Sequence, residues 1–194
     1  MKKTVRHPLF IFLICIIFVC SFFSLYLLNN HQSQEPVLMS ASWSYNYSDV
    51  EELTQNSDLI ALISVEDLAS YINDQELPMT NYTVNIDTPI YGCTEDDSIN
   101  VVMTGGPDNG VIFEIADDPL MNINDNFIIF AHQNNDGSFT ILSGPQGRMS
   151  IENGLVSSLN ISNSRVQTYN VGSNISIQNV PLDDFIAEVQ SYVN

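Results

Sequence analysis

Three dipeptides limit what this chain can become more than any other feature: Asn109-Gly110, Asp136-Gly137 and Asn153-Gly154 stand between apolar runs within fewer than fifty residues. Each tolerates the positive φ angles that a tight hairpin turn demands. Segments joined by such turns pair with their sequence neighbours in antiparallel fashion, so the spacing predicts a mainly β, antiparallel core. The stretch at 127–159, FIIFAHQNNDGSFTILSGPQGRMSIENGLVSSL, holds two of the three turns and reads as a β-meander.

The remaining strands follow from hydrophobic period. Tyr82, Val84 and Ile86 alternate with Asn81, Thr83, Asn85 and Asp87, the pattern of a strand with one wet face. Pro89 places the end of that strand at a sheet edge. Ile99, Val101 and Met103 alternate likewise, Gly105-Gly106 breaks the run, and Asn109-Gly110 leads into VIFEI at 111–115. Residues 59–65, LIALISV, are apolar without alternation, as in a central strand covered on both faces. Weaker strands are expected near 165–171 and 175–180.

Helices are expected only at the flanks. Ser48-x-x-Glu51 is a capping-box pattern opening a short helix through Val50 and Leu53, which Asn56-Ser57-Asp58 ends. Leu68, Tyr71 and Ile72 have helical spacing within 66–76. Pro181 at a first helical position, with Asp183 and Asp184 in the first turn, begins a final helix. Its stripe of Leu182, Ile186, Val189 and Val193 is expected to pack on the barrel.

The N-terminus carries a different signal. Residues 8–28 form an uncharged run of 21, which as a helix spans roughly 30 Å, the thickness of a bilayer core. Lys2, Lys3 and Arg6 precede it, and the next cation is Arg148, so the positive-inside rule puts the N-terminus in the cytoplasm and the rest outside. A cleaved signal peptide is the competing reading, but its apolar core runs to about 15 residues and ends at a small-residue site that this run lacks. A lipidated Cys20 is disfavoured because Ile17-Phe18-Val19 offers no small residue before it. The expected organisation is a membrane anchor over 1–30, a tether over 31–47 and an extracellular β-barrel domain over 48–194.

Charge sharpens the division. All 23 acidic residues lie after residue 34, and against them stand only Arg148 and Arg165, leaving a formal charge of -21 on that portion. Such a surface repels nucleic acid and anionic headgroups, which excludes nucleic-acid binding. Cys15 and Cys20 sit in the apolar run, so Cys93 has no intradomain partner, and a free thiol is expected.

Asp58-Leu59-Ile60, Tyr82-Thr83-Val84, Gly105-Gly106, Asp118-Pro119-Leu120, the aromatic run at 127–130, and Gly144-Pro145-Gln146-Gly147-Arg148-Met149 followed by Glu152-Asn153-Gly154 occur in one order. Over about residues 58–155 that order resembles a group of uncharacterised secreted or membrane-anchored proteins of Gram-positive bacteria. The resemblance implies an exported domain built as a small OB-like β-barrel. It implies no catalytic residue. The chain departs from the group at Tyr91-Gly92-Cys93, where Lys-Gly is common, and at Asp125-Asn126, where Gly-Glu is.

No motif in the chain specifies a chemistry. His132 is the one histidine in the folded part, and it lacks the partner spacing of a zinc site, so a strand residue is expected there. There is no G-x-S-x-G elbow and no G-x-x-x-x-G-K. Hard cations favour clustered carboxylates, so Glu95, Asp96, Asp97, Asp117 and Asp118 are the weak candidates for calcium. The alternative for each acidic pair is a solvated loop charge. Arg148 either recognises a partner or neutralises nearby carboxylates and helps the meander close. The function expected is a non-catalytic binding module at a bacterial cell surface, engaging an envelope protein or glycan. A carboxylate-dependent hydrolase and an inhibitor presenting an exposed loop such as Leu120-Met121 are the alternatives.

Overall fold

Two apolar runs, LIALISV at 59–65 and FIIFA at 127–131, pair with one another and bury both of their faces, and the rest of the fold is layered on either side of them. The computed structural model describes residues 35–72, 77–95, 97–159 and 175–193. The expected membrane anchor and the strand expected near 165–171 lie outside the described residues. The chain divides into two units, Met1–Glu35 and Pro36–Asn194, and the second is described below. No helix among the described residues is long and apolar enough to cross a membrane.

In chain order the elements are β1 (Val37–Met39), α1 (Val50–Gln55), β2 (Leu59–Ile72), β3 (Pro78–Tyr91), β4 (Ser98–Asp108), β5 (Val111–Ile115), β6 (Asn126–Gln133), β7 (Phe139–Ile141), a 3-10 turn (Gly144–Gly147), β8 (Arg148–Glu152), β9 (Leu155–Ser158), β10 (Val180–Pro181) and α2 (Leu182–Tyr192). Strand β2 pairs antiparallel with β3 and β6, and β3 pairs antiparallel with β4. Strand β7 closes the ring, antiparallel to β6 and parallel to β4. The result is a closed five-stranded barrel running β2-β3-β4-β7-β6.

Alternation sorts the side chains. Leu59, Ala61, Ile63 and Val65 of β2 and Ile129 and Ala131 of β6 point into the barrel, where they meet Tyr82, Val84 and Val101. Ile60, Ile128 and Phe130 point the other way, into a second core with Leu53 of α1, Met149 of β8, Val156 of β9, and Phe185 and Val189 of α2. Each such side chain withdrawn from water stabilises the fold by roughly 1.5–3 kcal/mol. Apolar residues without alternation are therefore what a strand shared by two cores requires.

The edge of β6 explains the second layer. Its residues 127–129 pair with β8 while 131–133 pair with β7, so the sheet branches there. The expected meander is accordingly only half present: β6–β7 and β8–β9 are antiparallel neighbours, but β7 and β8 each pair with β6 rather than with one another. The 3-10 turn re-aims the chain between them. Asn153 and Gly154, at φ 53 and 75, make the expected tight turn between β8 and β9.

Other expectations are corrected. The helix expected within 66–76 is strand up to Ile72, because β2 continues as a ribbon with β3 (Tyr71 opposite Met79), and Leu68, Tyr71 and Ile72 are exposed. Gly105-Gly106 does not interrupt β4 but turns it from β3, whose last pair is Met79–Thr104, onto β5. The first helix is capped one residue later than expected: Asp49 accepts from Glu52 N, and Glu52 reaches back to Ser48 N. Pro181 is the cap of α2 rather than its first residue, and Phe185, outside the stripe expected, is buried as fully as Val189 within it. From Pro36 onward the expected tether is docked on the domain: β1 pairs in parallel with β5, and Tyr47 is buried.

Candidate functional site

Inward-facing Tyr82, Val84 and Ile86 leave the alternate residues of β3 on the outside of the barrel, where the neighbouring strands present the same chemistry. The cross-strand rows are Tyr71–Met79–Thr104, Ala69–Asn81–Val102–Thr140–His132 and Asp67–Thr83–Asn100. Directly opposed side chains in a sheet stand about 5 Å apart, so these rows form one continuous surface. It carries amides, hydroxyls and one exposed aromatic ring, Tyr71, while Asp67 and Asp87 stand at its margin, the latter accepting from Ser64 Oγ at 3.0 Å. Its charged neighbours are Asp67, directly opposite Thr83, and His132, which pairs with Asp58 beside Thr140.

A second centre lies inside. Arg148, at the start of β8 opposite Ile129, points toward the barrel interior and is 1% exposed. Its Nη2 donates to Asp118 Oδ1 at 2.8 Å and to Pro119 O at 2.6 Å, and its guanidinium lies 5.0 Å from the Phe127 ring centroid. The loop it grips closes one end of the barrel: Met121 N donates to Tyr82 Oη at 3.1 Å and Leu120 N to Glu114 Oε1 at 2.9 Å. Burial outweighs the attraction of Arg148 and pushes the Asp118 carboxyl up to about 6, with Asp117 and Glu114 adding to the rise. Burial likewise carries the Tyr82 hydroxyl up to about 12. Removing both charges of such a pair from water costs several kcal/mol, so its role is to fix the loop in one place rather than to add stability. Of the two readings of Arg148, the structure bears out the neutralising one.

The calcium candidates are dispersed into separate tasks. Asp97 accepts from the backbone N and the hydroxyl of Thr94, Asp117 accepts from Trp43 Nε1 at 3.2 Å, and Asp118 serves Arg148. Glu95 is exposed beside Asp96, which lies outside the described residues. Among the described residues no group of three or more His, Cys, Asp or Glu is placed to hold a metal ion. Asp118 is buried, not the solvated loop charge weighed from the sequence.

His132 stands on the outer face of β6, opposite Thr140, with Nδ1 2.5 Å from Asp58 Oδ2. Cys93 is a free thiol, half-buried against the barrel core, and burial pushes it above its ordinary value. Cys93 lies in the connection between β3 and β4, His132 on β6.

Sequence reasoning missed the contribution of residues 36–47. Trp43 lies on Gly144, whose φ of 50 and lack of a side chain make the seat; a Cβ there would overlap the indole ring. The buried Gln146 carboxamide accepts from Tyr47 N at 2.9 Å and donates to Tyr47 O at 3.0 Å. The concentration of Trp43, Tyr45 and Tyr47 in an otherwise polar segment was the available signal.

Comparison with protein-family models and with curated proteins finds no match for this chain.

Proposed function

We propose that the chain is a non-catalytic binding module of a bacterial cell surface, an OB-like barrel held outside the membrane by its apolar N-terminal run and directed at uncharged envelope glycan. The strand order supports the OB-like reading: numbered within the barrel alone, the strands run 1-2-3-5-4 and close on 1, with the third and fifth parallel. The outer surface of the second and third strands is where such barrels bind chain-like ligands. The run at 8–28 and the preceding Lys2, Lys3 and Arg6 support a single span with the N-terminus in the cytoplasm and the domain outside, or secretion if the run is cleaved.

One observation carries the ligand class: the face formed by Tyr71, Thr83, Asn100, Thr104 and Thr140 is rich in hydroxyl and amide groups beside an exposed ring, with Asp67 opposite Thr83 at its side. Amides and hydroxyls both donate and accept, as the hydroxyls of a sugar require, and an exposed tyrosine ring offers an apolar face to a pyranose. Nucleic acid, the other ligand of such barrels, is repelled by the acidic surroundings. The hydrolase alternative draws less support, because the carboxyl with the most perturbed value, Asp118, is buried and held by Arg148. The inhibitor alternative named Leu120-Met121, and Met121 is buried.

Co-sedimentation of the full chain, in detergent micelles, with neutral cell-wall polysaccharide tests the reading. Tyr71→Ala combined with Asn100→Ala changes exposed side chains and leaves the fold intact; it is expected to weaken binding by at least about tenfold, or about 1.4 kcal/mol. Absence of binding by the unaltered chain, or unchanged binding by the double variant, would refute it.

A further inference from the structure

The segment at 36–47 is docked in the way a bound peptide is docked. Val37–Met39 adds a parallel strand to the edge of β5, in register with Phe113 through Ile115, and Ala116 N donates to Met39 O at 2.9 Å. Trp43 fills the seat over Gly144 and donates to Asp117. Ser143 Oγ donates to Tyr45 O at 2.6 Å, and Gln146 takes both backbone groups of Tyr47. Strand addition, an aromatic anchor in a fitted seat and side chains reading the backbone together make a peptide-recognition groove.

Two features make the occupant exchangeable. Strand β1 is terminal in the sheet and pairs with β5 alone, so lifting it breaks no barrel pairing. Its Val37 and Leu38 are exposed, 47% and 36%, so the burial that holds the segment is concentrated at Trp43 and Tyr47 and is recovered when the same side chains dock on another copy.

We propose that this groove is an interaction surface between copies of the chain, in which residues 36–47 of one copy dock on β5, Gly144 and Gln146 of another. The occupant is a second copy because that segment is the one peptide known to fit, and every contact made within a chain is reproduced between chains. Exchange of an identical element needs no new surface, which makes it a low-cost route to a dimer. Copies held in one membrane plane would meet at high effective concentration.

The test uses the full chain in detergent micelles or native membranes, with Cys15, Cys20 and Cys93 changed to Ser. One tagged copy carries Met39→Cys and a differently tagged copy carries Ile115→Cys, positions that are register partners. Mild oxidation is expected to join the two tags, and excess synthetic peptide of residues 36–47 is expected to reduce that product severalfold. The unsubstituted chain should sediment as a dimer at high concentration, and Trp43→Ala should shift it toward monomer. A bridge formed only within chains carrying both cysteines, together with a monomeric unsubstituted chain at every concentration, would overturn the proposal. So would a dimer unaffected by Trp43→Ala and by the peptide.

Discussion

Replacing Arg148 by Met keeps most of the side chain's volume and removes its charge, which isolates what the ion pair does. In the folded protein Arg148 and Asp118 are 2.8 Å apart with side-chain exposures of 1% and 9%, so Asp118 would lose its countercharge without gaining water. Breaking a buried pair in this way costs about 3–5 kcal/mol. The cost depends on pH with a sign the structure dictates. The folded-state value of Asp118, about 6, lies above the ordinary 3.8, so the folded protein takes up this proton first. Protonation therefore favours folding, fully so below about pH 4, and the advantage is lost as pH rises through 6. Without Arg148 the value moves higher still. At pH 8 the variant must bury an unpaired carboxylate; at pH 5 the group is neutral, and the loss shrinks to about 1–2 kcal/mol for the missing hydrogen bond to Pro119 O. With a urea dependence of about 2 kcal/mol per M, the midpoint should fall by about 2 M at pH 8 and by less than about 1 M at pH 5. Trp43, the only tryptophan, reports unfolding through its emission, with far-UV circular dichroism as a second probe. Equal midpoints for variant and unaltered chain at pH 8, or a deficit that widens on acidification, would refute the reasoning.

Phe185→Ala empties the centre of the second core, where Phe185 is fully buried and meets Phe130 edge-on at 6.4 Å, so a loss of about 3–5 kcal/mol is expected from urea midpoints. Gly144→Ala puts a methyl group where the Trp43 ring lies, and the indole should leave its seat, seen as a red shift of emission in native buffer; an unshifted spectrum would show that the contact yields easily. Calcium and magnesium at matched ionic strength should raise the melting temperature alike, by screening the -21 charge, since Asp97, Asp117 and Asp118 each have other hydrogen-bond partners; a calcium-selective rise would favour the metal reading.

What was legible in the sequence was local. The alternation of Tyr82, Val84 and Ile86 settled which face of β3 is buried, since side chains of a strand alternate whatever it pairs with. Asn153-Gly154 settled a hairpin because a two-residue turn brings its flanking strands side by side, whatever each pairs with on its other edge. The unbroken apolar run at 59–65 correctly announced a strand buried on both faces.

What the sequence could not decide was which distant segments meet. Leu68, Tyr71 and Ile72 have a helical spacing, yet they lie in a strand because β3 offers twelve register partners to β2, and a ladder of hydrogen bonds outweighs a three-residue pattern. Whether β7 and β8 pair with each other or share β6 is likewise decided by the barrel, which closes only if β7 reaches β4. Arg148 and Asp118 are thirty positions apart, and the burial of that pair leaves no local trace; the cluster of Trp43, Tyr45 and Tyr47 signals docking but not that Gly144 is the seat. Alternation and turn geometry are properties of neighbouring residues, and so are written in order along the chain. Burial, ion pairing and barrel closure depend on which surfaces exclude water together, and that exists only once the whole domain is assembled.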